Sequence, residues 1–276
     1  MLTTANSPSP RLPARGLCAH RGVMQLLPEN SLSSLREAAR LGAHMIEFDL
    51  RVSKDGELMV FHDQNVQRMT GGRGDVAELT VEQLRQLRLL CPRTGLPTEE
   101  CIPTLSEALE ILPRNVWLNL HLKDRAERSR GWRGIWKKFF PPPDGGSLAA
   151  RLTRLIAECG RIHQTILACG GAHAKAARQE NPDVQICSLV RGSDAGKAVR
   201  EAIDTRAQFI QMSDKRSPTA EMVQQLKEHG IRITYGFADS PESLRRLFER
   251  GVDFPLVNNL HELMPHANAL GLGSVT

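Results

Sequence analysis

The chain has 276 residues, 41% hydrophobic and 24% charged, an ordinary globular composition with enough length to bury a sizeable core without disulfide or metal staples. Its net charge of +5 fits an anionic substrate, a membrane surface or nucleic acid, but no compact Lys/Arg block of the nucleic-acid type is present, so no nucleic-acid partner is expected. No apolar run approaches the roughly 20 residues that cross a bilayer.

Residues 1–15 have no apolar stretch of the secretory kind and read as a short disordered Ser/Pro leader. The six cysteines form no C-x-x-C pair, and several sit in strand-like apolar runs. That usage favours a reducing compartment, so a cytoplasmic protein is expected. A short apolar run over 16–19 leads into His20-Arg21-Gly22. Asn30 or Ser31 can cap the next helix, which shows Leu32, Leu35 and Ala39 on one face and stops at Gly42. A strand over 45–51, an Asp-Gly turn over 53–56 and a strand over 58–62 form a hairpin. Residues 63–100 are mixed: 80–90 (TVEQLRQLRLL) reads as one Thr-capped helix and 91–100 as irregular. A capped helix over 102–112 and a strand over 116–123 follow.

Beyond 146 the pattern is regular. Strands over 165–169, 185–190, 208–212, 232–235 and 254–258 alternate with amphipathic helical stretches. Apolar strands separated by such helices mean parallel β-structure with crossover helices. With the 58–62 arm set aside, eight strands remain, the number and span of an α/β (β/α)8 TIM barrel over 16–265. Residues 266–276 are a C-terminal tail. An open doubly wound sheet is the alternative architecture.

Functional groups of a parallel barrel gather at the carboxyl ends of its strands. Strand alternation puts Ile46, Phe48 and Leu50 on one face and Glu47 and Asp49 on the other. It puts Leu118, Leu120 and Leu122 outward, and Asn119, His121 and Lys123 inward. Two carboxylates two residues apart on one strand face repel unless compensated, and a divalent cation compensates them. An internal salt network with Lys and Arg is the alternative. His20 and His62 end their strands beside this pair, and two imidazoles suit a proton relay. Arg21 offers a forked cation for phosphate oxygens and Lys123 a point-like one. A metal, two bases and two cations describe a site for phosphodiester cleavage.

These residues resemble the glycerophosphodiester phosphodiesterase family. The similarity rests on HRG (20–22), PEN (28–30), A-x-x-x-G-A-x-x-IEFDL (38–50), SKDG (53–56), VFHD (60–63), IPTL (102–105) and the strand before Lys123. It is dense over about 16–123 and thin afterwards. The resemblance implies a (β/α)8 TIM barrel with a small insertion after the second strand, here about 63–100, and an acid/base pair, His20 and His62. It implies magnesium or calcium on Glu47 and Asp49, phosphate on Arg21 and Lys123, and Glu29 close by. It implies release of an alcohol and sn-glycerol 3-phosphate, with the neighbouring glycerol hydroxyl attacking first and water opening the cyclic phosphate.

The sequence departs from the family in three places. His121-Leu122-Lys123 stands where the family has Glu-x-Lys, so His121 replaces a third carboxylate. Either His121 is a metal ligand and manganese or zinc becomes acceptable, or water completes a weakened magnesium site, or the chain is an impaired relative that only binds. The seventh strand, ITYGFAD (233–239), offers Tyr235 and Phe237 as pocket walls, and the eighth ends VNN (257–259). The segment 124–146 interleaves aromatic and basic residues, with Trp132, Trp136, Phe139 and Phe140 among Arg130, Arg133, Lys137 and Lys138. Its composition suits an interfacial anchor, so peripheral membrane contact through 130–140 and a lysophospholipase D-like activity on lysophospholipids form the alternative reading. Packing of those aromatics on the barrel rim is the competing one.

Overall fold

Eight parallel strands close on themselves, and their inner face carries the polar groups predicted above. A computed structural model describes residues 12–123, 147–189, 194–212 and 217–272. The expectations for 124–146, with its membrane and lysophospholipid readings, lie outside the described residues, as do those for 1–11 and 273–276. Among the described residues no helix is long and apolar enough to cross a membrane.

In chain order, β1 (Cys18–His20) is followed by α1 (Leu32–Arg40), β2 (Met45–Val52) and β3 (Leu58–Val60). The insertion holds α2 (Gln67–Thr70), α3 (Val81–Gln86), β4 (Arg88–Leu90) and β5 (Pro97–Cys101). Next come α4 (Leu105–Ile111), β6 (Trp117–Leu122), α5 (Leu148–Glu158) and β7 (Thr165–Cys169). The remaining elements are α6 (Gly171–Glu180), β8 (Gln185–Ser188), α7 (Ala195–Asp204), β9 (Phe209–Met212), α8 (Ala220–Glu228), β10 (Arg232–Ala238), α9 (Pro241–Glu249), β11 (Phe254–Val257) and α10 (Leu260–Ala269). The sheet runs β1-β11-β10-β9-β8-β7-β6-β2, and β1 pairs with β2 to close the barrel. β3 pairs antiparallel with the upper half of β2, as the hairpin reading requires.

Local chemistry sets the ends of the elements. Ser31 is the cap of α1, its Oγ accepting from Ser34 N at 3.1 Å. Thr104 and Glu107 exchange side-chain and backbone hydrogen bonds at the start of α4, and Thr80 with Gln83 does the same for α3. The β2–β3 turn closes through Ser53 Oγ, which donates to Asp55 Oδ1 at 2.6 Å and accepts from Glu57 N at 2.9 Å. Gly56 there has φ 92°, which a side chain would resist.

Strand alternation splits the core in two. Ile46, Phe48, Leu50, Leu118 and Leu120 face outward into the cluster shared with the helices. Met45, Trp117, Phe209 and Phe254 point inward and fill the barrel floor. Above that floor the inner face turns polar. Register sets His20 level with Glu47, Glu47 level with Asn119, and Asp49 level with His121.

The insertion departs from the sequence reading. α3 ends at Gln86, and Arg88–Leu90 is a strand paired antiparallel with Pro97–Cys101, where one helix and an irregular segment were predicted. Its turn uses Gly95 at φ 68°, with Gly95 N donating to Cys91 O. Tertiary burial overrides helix propensity here, because Leu84 and Leu89 both enter a small cluster with Met59, Phe61 and Ile102.

Leu120→Ala should cost about 2–5 kcal/mol, because the cavity lies in a closed outer core. Leu96→Ala, at a side chain 65% exposed, should stay within about 0.5 kcal/mol. Urea denaturation of both variants checks the contrast, and equal midpoints would contradict it.

Candidate active site

The carboxylates of β2 sit at the centre of the site. Glu47 and Asp49 are each 1% exposed, so neither is hydrated enough to stand alone. Glu47 Oε2 lies 3.9 Å from His20 Nε2 and accepts from Arg21 N at 3.1 Å. Glu47 Oε1 lies 2.9 Å from His121 Nδ1 but has no hydrogen-bond donor in good alignment. Asp49 Oδ1 pairs with Lys123 Nζ at 3.0 Å, and Asp49 Oδ2 with Arg21 Nε at 3.2 Å. Asn30 completes Asp49, donating from Nδ2 to Oδ2 and accepting from the Asp49 amide, both at 3.2 Å. Asn30 adopts φ 60° to do so, and the cap of α1 falls to Ser31.

Burial alone would raise the Glu47 carboxyl. The His121 ring beside it, aided by His20 and Lys123, overrides burial and holds it well below the usual carboxylate range. For His121 burial opposes protonation, but Glu47 outweighs it and the ring titrates above its ordinary value.

The two predicted relay histidines flank this centre. His20 Nδ1 bonds Asn258 Oδ1 at 2.8 Å, which fixes Nδ1 as the protonated nitrogen and turns Nε2 toward Glu47. Its ring meets the ring of Phe237 edge-on at 5.0 Å. His62 Nδ1 donates to Asp63 Oδ1 at 2.7 Å, so Nε2 keeps the lone pair. Burial is the largest influence on His62 and lowers its pKa. Asp49 and the Asp63 hydrogen bond pull upward, and Arg21 and Lys123 push further down.

Arg21 has φ 55°, and its Nη1 donates to Glu29 Oε1 at 3.0 Å. Glu29 therefore lies close by, as a buried anchor for that cation. Asn119 is inward and buried, but its Nδ2 donates to Gln211 Oε1 at 3.4 Å rather than to the carboxylates. Phe237 is half-exposed at the mouth beside His20.

Tyr235 is a correction. Its ring lies in the outer cluster, its hydroxyl donates to Ser217 Oγ at 2.8 Å, and it is no pocket wall. Residues two apart on a regular strand share a face, but β10 is irregular between Thr234 and Phe237. Gly236 at φ 63° is the bulge that turns Phe237 inward and leaves Tyr235 outside.

Several partners escaped the sequence reading. Gln211 Oε1 contacts His121 Nε2 at 2.7 Å from across the barrel. Asn258 orients His20, Asp63 orients His62, and Arg68 holds Glu29 and Asp63. Asp63 was visible in the VFHD run. Gln211 is a single polar residue in the apolar strand β9, and Asn258 follows the last residue of β11 in the VNN run, so strand position was the available signal for both.

Ligand atoms of Glu47, Asp49 and His121 all lie within 4.8 Å of one another. The set fits a divalent cation on two grounds. Glu47 Oε1 is a buried acceptor without a well-aligned hydrogen bond, and donation from His121 Nε2 to Gln211 leaves Nδ1 as the nitrogen that can give up its proton to a cation beside the carboxylates. Two oxygens and one imidazole nitrogen suit a borderline cation better than a strictly oxygen-seeking one.

The model of the family described as "Glycerophosphoryl diester phosphodiesterase family" matches residues 20–130, which include every residue of this centre except Gln211, Phe237 and Asn258. That match covers less than half of the chain, and over it the chain is similar to that family. A glycerophosphodiester phosphodiesterase of Caldanaerobacter subterraneus is 26% identical over 242 residues, covering 85% of this chain and 90% of that protein. Glycerophosphodiester phosphodiesterase 1 of Mus musculus is 37% identical over 154 residues, covering 54% of this chain, and the match spans 46% of the mouse enzyme. Among solved structures, an Oleispira antarctica phosphodiesterase shares the barrel with a TM-score of 0.72 at 21% identity, over 93% of this chain and 97% of that one.

The His62 ring should titrate below its ordinary value of about 6.5 in an NMR pH series. Asp63→Asn removes a hydrogen bond that favours the protonated ring, so the midpoint should fall further. A wild-type midpoint above 6.5, or a rise on substitution, would contradict this account.

Proposed function

We propose that the chain hydrolyses glycerophosphodiesters to an alcohol and sn-glycerol 3-phosphate. The observation that carries the reading is the pairing of two oriented imidazoles with a buried carboxylate centre and two cations. The Oleispira phosphodiesterase with the same fold was solved in complex with the product sn-glycerol-3-phosphate, which agrees with this substrate class.

In this reading Arg21 and Lys123 receive the phosphate oxygens, leaving Asp49 in part as they do so. His62, neutral near pH 7 because its pKa is lowered, takes the proton of the adjacent glycerol hydroxyl on Nε2. The glycerol oxygen bonds to phosphorus as the bond to the leaving alcohol breaks. His20, entering the step as the imidazolium with Nδ1–H on Asn258, gives its Nε2 proton to that alkoxide and is left neutral. Water then opens the cyclic phosphate with the proton roles reversed. The intramolecular hydroxyl is already placed, so little entropy is lost at the transition state. A divalent cation held by Glu47, Asp49 and His121 would supply Lewis-acid polarisation of the phosphoryl group.

His121 is proposed as a ligand, with Gln211 fixing its tautomer. His121→Glu should raise magnesium affinity and lower the preference for manganese, read by calorimetry. Unchanged affinities for both ions would remove His121 from the ligand set.

His20→Ala and His62→Ala should each lower turnover of glycerophosphocholine by about 100-fold or more with the circular dichroism spectrum unchanged. Near-wild-type turnover in either variant would refute the relay. Wild-type protein that binds manganese yet turns over no glycerophosphodiester would favour the impaired-relative reading.

A further inference from the structure

Arg68 lies on the short helix α2 of the insertion. Its Nη2 donates to Glu29 Oε1 at 2.5 Å and its Nη1 to Glu29 Oε2 at 3.2 Å, a two-pronged hold on one carboxylate. Its Nε donates to Asp63 Oδ2 at 2.5 Å. Each carboxylate then turns to a different part of the site. Glu29 Oε1 accepts from Arg21 Nη1 at 3.0 Å, and Asp63 Oδ1 accepts from His62 Nδ1 at 2.7 Å. A continuous chain, Arg21–Glu29–Arg68–Asp63–His62, joins the loop after β1 to the segment after β3.

The geometry says what would follow without it. The Asp63 side chain is 25% exposed, so water competes for its oxygens. An Asp63 carboxylate free to rotate gives His62 Nδ1–H no fixed acceptor. The proton can then sit on Nε2, the atom that needs a lone pair. Glu29 is buried, and with Arg68 gone only Arg21 would balance it. The planar guanidinium can grip two carboxylates in fixed directions, which a point-like ammonium cannot.

We infer that Arg68 is a positioning residue for the phosphodiesterase reaction, holding Asp63 on His62 Nδ1 and Glu29 on Arg21 so that one side chain of the insertion aligns the proton acceptor with the phosphate-binding cation. The kinetic half of this inference rests on the proposed activity; the tautomer half does not.

The test uses the full chain with Arg68→Met, Arg68→Lys, Asp63→Asn and the Arg68→Met/Asp63→Asn double variant. Ring nitrogen–proton correlation NMR reads the His62 tautomer without substrate. The Nδ1–H form is expected in wild type, a mixture in Arg68→Met, and an intermediate ratio in Arg68→Lys, which keeps charge but loses the fork. With glycerophosphocholine, kcat of Arg68→Met should fall about tenfold to 100-fold, more than KM rises. The double variant should be no slower than the slower single one. A wild-type tautomer in Arg68→Met, or full additivity of the two substitutions, would overturn the inference. If Arg68→Met does not fold, Arg68→Lys decides, and a wild-type tautomer there overturns it too. Absence of turnover in wild type would sink the proposed activity, and the tautomer ratios would still decide the role of Arg68.

Discussion

Two carboxylates buried on one face of β2 set the terms for everything around them. Glu47 and Asp49 cannot both remain ionised in a dry barrel without compensation, and an uncompensated buried charge costs about 3–5 kcal/mol. The surrounding residues answer that demand. His20, Arg21, His121 and Lys123 bring positive or protonatable groups to the pair, and Asn30 adds hydrogen bonds to Asp49. The compensation is least complete at Glu47 Oε1, whose close neighbour His121 Nδ1, at 2.9 Å, is not aligned as a donor. Stability alone would favour closing that gap, so the gap is where cation chemistry has room.

The rest of the fold serves this centre by register. Because β1, β2 and β6 pair in parallel, residues from three distant parts of the chain reach one height on the inner wall. The apolar floor of Met45, Trp117, Phe209 and Phe254 keeps the lower barrel closed, and the outer faces of the same strands anchor the helices. The β2–β3 hairpin turns the chain back along β2 and carries it on to His62. One strand thus supplies the carboxylates, and its two neighbours in the chain supply the imidazoles.

Much of this was legible in the sequence because it is local. Glu47 and Asp49 stand out against Ile46, Phe48 and Leu50 by period-two alternation, and the same rule placed Asn119, His121 and Lys123. Tyr235 and Phe237 were read together as pocket walls, but the bulge at Gly236 separates their faces. The alternation rule gave no hint of β4 and β5, whose pairing depends on burial of Leu89 by residues 30 positions or so away. Gln211, Asn258 and Arg68 were missed for a different reason. Each bonds at least one group far along the chain, and no spacing within one element announces a contact between distant segments.

The central claim is spatial: one cation belongs between Glu47, Asp49 and His121, with an imidazole on either side. An anomalous difference map from crystals soaked in manganese tests it most directly. The account requires a peak in contact with all three side chains, with His121 Nε2 still on Gln211. A map with no peak there, and with His121 Nδ1 still lying against Glu47, would contradict it.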